Sequence, residues 1–134
     1  MKRYQNLVLL IVLLAVFISI GFWVNSNKAY YPELPFEGGS KKEVVEKLEK
    51  SNNELVELSN GNGYYWLGFR GNQKDGRDEV IKQMEDRGLK YDYYEGSGLF
   101  FENGKRVIIT GEQWTKDYIL YKVPEGSYIN KETN

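Results

Sequence analysis

The chain has no cysteine and no histidine among its 134 residues. Without thiols there can be no disulfide framework and no thiolate nucleophile, so packing alone must hold a fold together. Without imidazole the commonest general base near neutral pH and the commonest transition-metal ligand are both missing. Zinc and copper centres of the usual composition, Cys–His pairs and Ser–His–Asp triads are therefore excluded. Proline is scarce, at three residues. Charge of one sign is also lacking: from Lys28 onward sixteen basic residues face nineteen acidic ones, a net of −3 with both signs interspersed. No basic stripe recommends nucleic acid. No motif calls for a cofactor, and none is expected.

What is present begins with an apolar run. Fourteen of the eighteen residues from Leu7 to Val24 are Leu, Ile, Val or Phe, and none is charged. As a helix the run spans roughly 27 Å, close to the hydrocarbon thickness of a bilayer. Its apolar side chains supply roughly −4 to −8 kcal/mol for insertion. Lys2 and Arg3 precede the run, and charge of that sign favours the cytoplasmic side. Tyr4 at one end and Trp23, Tyr30 and Tyr31 at the other suit the two headgroup regions. The sequence thus predicts a cytoplasmic stretch over 1–6, a transmembrane helix over 7–24 in contact with the lipid bilayer, and an extracytoplasmic remainder at the cell membrane. The alternative is secretion after signal cleavage near Ser26. The length of the run and bulky Phe22 and Trp23 beside the cut weigh against it. Ala15 and Ser19 make a small-xxx-small pair that could serve self-association.

Beyond the run, residues 25–39 read as a tether carrying Pro32 and Pro35 and ending in Gly38-Gly39. Ser40-Lys41-Lys42-Glu43 matches a capping box, with Val44, Val45 and Leu48 following at helical spacing. A first helix over Lys41–Lys50 is expected to reach the low fifties. A hairpin of Glu54–Ser59 with Tyr64–Arg70 across the Asn60–Gly63 turn is the competing assignment. A second helix is expected over Asp78–Arg87, capped by Asp75 or Asp78, with Val80, Ile81 and Met84 as its stripe. Gly88 and Leu89 would close it in a Schellman motif. Period-two patterning then takes over: Lys90 to Glu95, Leu99–Glu102, a type I′ turn at Asn103-Gly104, Lys105–Thr110, and Tyr118–Val123 before Pro124. The fold class predicted is α+β, a 40–125 domain with an antiparallel β-meander and two helices packed on one face, followed by a polar, frayed tail over 126–134.

Motifs with chemistry are few. Gly61-Asn62-Gly63 and Gly96-Ser97-Gly98 lack the third glycine and the strand-to-helix setting of a dinucleotide fingerprint. Aligning Gly76 on the turn position of a calcium loop puts Gly71 and Gln73 where ligands belong, so that pattern fails. Nineteen acids will give some pair within reach, but nothing singles out a pair for glycoside hydrolysis. Catalytic residues are accordingly not assigned. Aromatic residues are the best candidates for a surface. If Leu99, Phe101, Val107, Ile109, Ile119, Tyr121 and Val123 face the helices, then Phe100, Ile108, Tyr118 and Leu120 face the other way. Together with Trp114 they form the candidate partner surface, unless a second packed layer covers them.

Gly96–Glu102, Lys105–Thr110, Trp114 and Tyr118–Val123 before Pro124 resemble the C-terminal part of small, uncharacterised N-terminally anchored or secreted proteins of Bacillus-type bacteria. The resemblance covers about the last 70 residues and implies a cell-surface setting. It carries over no functional residue. The expectation from the sequence is an interaction domain that binds another cell-envelope protein in a regulatory or immunity-like role. The alternatives are a cell-wall glycan-binding module or a carboxylate-dependent hydrolase.

Overall fold

A computed structural model describes residues 1–127 and divides them into two units, Met1–Tyr31 and Pro32 onward. The first unit is helix α1, Lys2–Ser26, with no residue buried. It has 25 residues, an 18-residue window within it has a mean hydropathy of 3.0, and the helix is long and apolar enough to cross a membrane. Within it the Ser19 hydroxyl donates to the Ala15 carbonyl at 2.8 Å, which satisfies that polar side chain inside an otherwise apolar run.

The second unit is an α+β domain. Its order is α2 (Lys41–Glu49), β1 (Val56–Gly61), β2 (Tyr64–Arg70), α3 (Gln73–Asp86), β3 (Lys90–Glu95), β4 (Gly98–Glu102), β5 (Arg106–Gln113) and β6 (Tyr118–Pro124). The strands form one antiparallel sheet ordered β1-β2-β6-β5-β4-β3. Strands β3 to β6 are the expected meander, and the β1–β2 hairpin pairs onto β6.

The capping box at α2 forms as the spacing dictates: the Ser40 hydroxyl accepts from the Glu43 amide, and the Glu43 carboxylate accepts from the Ser40 amide, both at 3.2 Å. The helix then stops at Glu49 and does not reach the low fifties. Asn52 and Asn53 turn through positive φ (51° and 60°), so the competing hairpin is the one that forms. Asn62-Gly63 is its two-residue loop, with φ of 57° and 81° as a type I′ turn requires. The turn expected at Asn103-Gly104 is a longer loop. Glu102 pairs with Arg106, leaving three residues between the strands, and Gly104 supplies the positive φ of 70°.

Helix α3 starts earlier than the apolar stripe suggested. Asn72 caps it, its side-chain oxygen accepting from the Asp75 amide at 2.8 Å, so Asp75 lies in the first turn rather than at the cap. Gly76 lies inside the helix, where a Cβ would stand 2.5 Å from the Tyr121 hydroxyl and 2.9 Å from Phe69. The absence of a side chain thus lets α3 lie close to the sheet. At its other end the Leu89 amide donates to the Met84 carbonyl and the Gly88 amide to Glu85, both at 3.0 Å, completing the Schellman motif.

The two helices do not share a face. Val80 and Met84 of α3 pack with Leu67, Phe69, Leu99, Phe101, Val107, Ile109, Ile119, Tyr121 and Val123 in the main core. Helix α2 lies on the opposite side, because a Cβ at Gly68, between Leu67 and Phe69, would meet Leu48 Cδ2 and Leu58 Cδ1 at 2.7 Å each. The sheet is therefore covered twice: by α3 on one face and by α2 on part of the other.

The expected tether is shorter than 25–39. From Pro32 the chain belongs to the domain: the Pro32 carbonyl accepts from Trp114 Nε1 at 3.0 Å, Phe36 packs on Trp66 with ring centres 5.5 Å apart, and the Glu37 carbonyl accepts from the Ser59 hydroxyl. Ser127, expected in the frayed tail, belongs to the domain as well. It is buried and its hydroxyl donates to the Pro124 carbonyl at 2.6 Å. The rest of the expected tail, 128–134, lies outside the described residues.

Candidate functional site

Of the five side chains proposed, four from alternation and Trp114 as an aromatic beside them, three are core. Leu120 is 0% exposed, Tyr118 5% and Trp114 5%. Tyr118 and Leu120 share the Gly68 face, which α2 covers, and the Tyr118 hydroxyl donates to the Glu49 carboxylate at the end of that helix. Glu49 also takes an ion pair from Arg70 at 2.9 Å. Trp114 is held under the Pro32 segment and has no open ring for a sugar to stack on. The second packed layer accounts for all three. Alternation tells which side a strand residue faces; it does not tell that the nine residues of α2 lie over β1 and β2 and reach Tyr118 of β6, or that the Pro32 segment lies over Trp114.

Phe100 and Ile108 remain. They pair across β4 and β5 on the half of the face that α2 leaves open. Ile108 is 44% exposed, and Tyr93 of β3 stacks on Phe100 at 4.5 Å with ring planes 6° apart. A bulge between Tyr91 and Tyr93 turns Tyr93 to this side. Arg106 stands over the Phe100 ring at 5.7 Å. From Ile108 the apolar strip opens into a groove of about 500 Å³ lined by Tyr64, Lys105, Arg106, Thr110 and Lys122, with Glu125 as its acid. Lys122 Nζ lies 4.0 Å from the Tyr64 ring centre. A domain that is acidic overall thus carries three cations on one groove beside an apolar strip.

A second concavity lies on the α3 face, a cavity of about 300 Å³ between the start of α3, the β3–β4 turn and β5. Arg77 and Tyr94 form its rim, the guanidinium 4.0 Å from the ring centre. Tyr121 lies at its floor, and burial pushes its hydroxyl up to about 12, with Arg77 pulling the other way. Gln73 Nε2 donates to Gln113 Oε1 at 3.1 Å along one wall. Several residues of this cavity carry single sequence signals, Gly96-Ser97 as a glycine-rich turn and Leu99, Ile119 and Tyr121 as helix-facing positions, but nothing in the sequence joins them into one site. The available signals were Gly76 inside a helix and Gly111 inside a strand, each a mark of close approach. A Cβ at Gly111 would stand 2.9 Å from the Tyr121 ring.

Among the described residues no cluster of three or more Asp or Glu side chains is placed to hold a metal ion. No protein-family model, curated protein or solved structure matches the chain. The chain is an α+β domain that follows a long apolar helix, with one of the concavities described above on each face of its sheet.

Proposed function

We propose that this chain is a single-pass membrane-anchored binding domain, held outside the cytoplasmic membrane by α1, that docks an acidic segment of another envelope protein. The observation that carries the reading is the half-covered second face of the sheet. Helix α2 packs over Leu58 and Gly68 and reaches Tyr118 through Glu49, while Tyr93, Phe100 and Ile108 stay open beside Lys105, Arg106 and Lys122. An aromatic and aliphatic anchor rimmed by cations suits a partner bearing an apolar side chain flanked by carboxylates. The anchoring rests on the length and hydropathy of α1, and the outward orientation on Lys2 and Arg3 at its start.

The test is photo-crosslinking in cells from position 108 of the full chain, with adducts identified by mass spectrometry. The expected result is one protein adduct through an acidic segment. It is lost when Arg106→Glu and Lys122→Glu are combined, and kept when exposed Lys82, on α3, is changed to Glu. Lipid-only adducts, or a protein adduct indifferent to the double reversal, overturn the reading.

A further inference from the structure

We infer that the cavity on the α3 face is a second, independent binding site, for a small monocarboxylate with a flat apolar body. Three features fix that class. The charged side chain of the lining is Arg77, which makes no ion pair among the described residues and stands over Tyr94 at 4.0 Å. A guanidinium with no carboxylate partner, set against an aromatic ring, has N–H donors free for an anion.

The floor supplies the second feature. Tyr121 is 4% exposed, and its hydroxyl has no hydrogen-bond partner among the described residues. An O–H that opens on the cavity with no protein partner is a ready donor to a second oxygen. Burial keeps the hydroxyl protonated to high pH, so it donates throughout the physiological range. One cation and one neutral donor match the two oxygens of a monoanion. A phosphate dianion would bring more charge than the lining neutralises.

The third feature is what surrounds the polar pair. Tyr94, Leu99 and Ile119 line the same cavity and offer apolar surface to the rest of the molecule. The cavity volume of about 300 Å³ sits at the small end of ligand sites, which limits the guest to a single ring or a single residue. The glycines keep this space as it is: side chains at Gly76 or Gly111 would press on Tyr121.

The experiment uses the full chain in detergent micelles and follows amide and arginine side-chain NMR signals on titration with benzoate, its neutral isostere benzamide, and phosphate. Saturable benzoate shifts at Arg77, Tyr94 and Ser97 are expected, weakened roughly tenfold or more by Arg77→Gln and by a smaller factor in Tyr121→Phe. Arg77 is only half-buried, so its replacement leaves the core intact, and an unchanged amide spectrum verifies this. Benzamide binding as tightly as benzoate means an apolar void, and phosphate binding more tightly means a dianion site; either overturns the proposal. So does benzoate binding that Arg77→Gln leaves unchanged. None of these outcomes involves the groove around Ile108.

Discussion

Replacing Gly68 by Ala tests the two-layered arrangement at the point where it is tightest. The new methyl would stand 2.7 Å from both Leu48 Cδ2 and Leu58 Cδ1, and neither side chain has room to retreat, at 0% and 7% exposure. Overpacking of this kind costs about 1–3 kcal/mol, offset by up to about 1 kcal/mol for the glycine freedom removed from a strand. Leu48→Ala alone leaves a cavity under α2 and costs about 2–5 kcal/mol. The informative variant is the pair. With Leu48 shortened, one of the two close contacts disappears and the new methyl fills part of the void. The double variant should be more stable than the sum of the singles by about 1 kcal/mol or more. Urea unfolding of the full chain in detergent, followed by the fluorescence of Trp66 and Trp114, measures it. In a domain of this size about 1 kcal/mol corresponds to roughly 4–8 °C in Tm. Strict additivity would refute the placement of α2 across from Gly68, and with it the boundary of the open half-face.

Three further outcomes follow from single features. Ser40→Ala removes the capping box and should cost about 1 kcal/mol in the same unfolding assay, with α2 protection from hydrogen exchange falling first. Tyr121 has a folded value near 12 against an ordinary 10.0, so the stability tied to its neutral form is intact below about pH 10 and is lost as pH rises through the folded value. Between those limits the native chain should lose roughly 2 kcal/mol more than Tyr121→Phe, measured by urea midpoints at pH 9 to 12. Leu13→Asp should cost roughly 3 kcal/mol of insertion energy and release protein from the membrane fraction; unchanged retention would contradict anchoring by α1.

Local signals carried most of the fold. The Ser40–Glu43 box, the Gly88-Leu89 closure and the alternation of β4, β5 and β6 are all settled within a few residues, and each formed where its spacing said. The start of α3 is hidden in the sequence because Gly76 interrupts the helical pattern after the Asn72 cap, and glycine inside a helix costs about 1 kcal/mol relative to alanine, a cost that a tertiary contact has to justify. That contact, the Tyr121 hydroxyl against Gly76, joins residues 45 positions apart and leaves no local trace. The face chosen by α2 was beyond reach for the same cause. Val44, Val45 and Leu48 give the helix an apolar stripe but no address, and only Gly68, a gap in an otherwise bulky strand, marks where Leu48 fits.

That address decides which of the five proposed surface residues could meet a partner. Had α2 joined α3, Tyr118 and Leu120 would extend the strip of Phe100 and Ile108 into an apolar face across β4, β5 and β6. With α2 on the second face, Glu49 closes on Tyr118 and Arg70, and the open strip shrinks to Tyr93, Phe100 and Ile108. A strip this narrow is a weak anchor without help, since each exposed ring or aliphatic chain contributes roughly 1.5–3 kcal/mol when fully buried. The three cations of the adjoining groove supply the help and the selectivity: they favour an acidic partner and penalise a basic one. Binding to such a surface should weaken as salt screens the rim charges, whereas binding by an apolar strip alone would not. Salt dependence of the crosslink at position 108 therefore separates a charge-selected partner from hydrophobic adhesion.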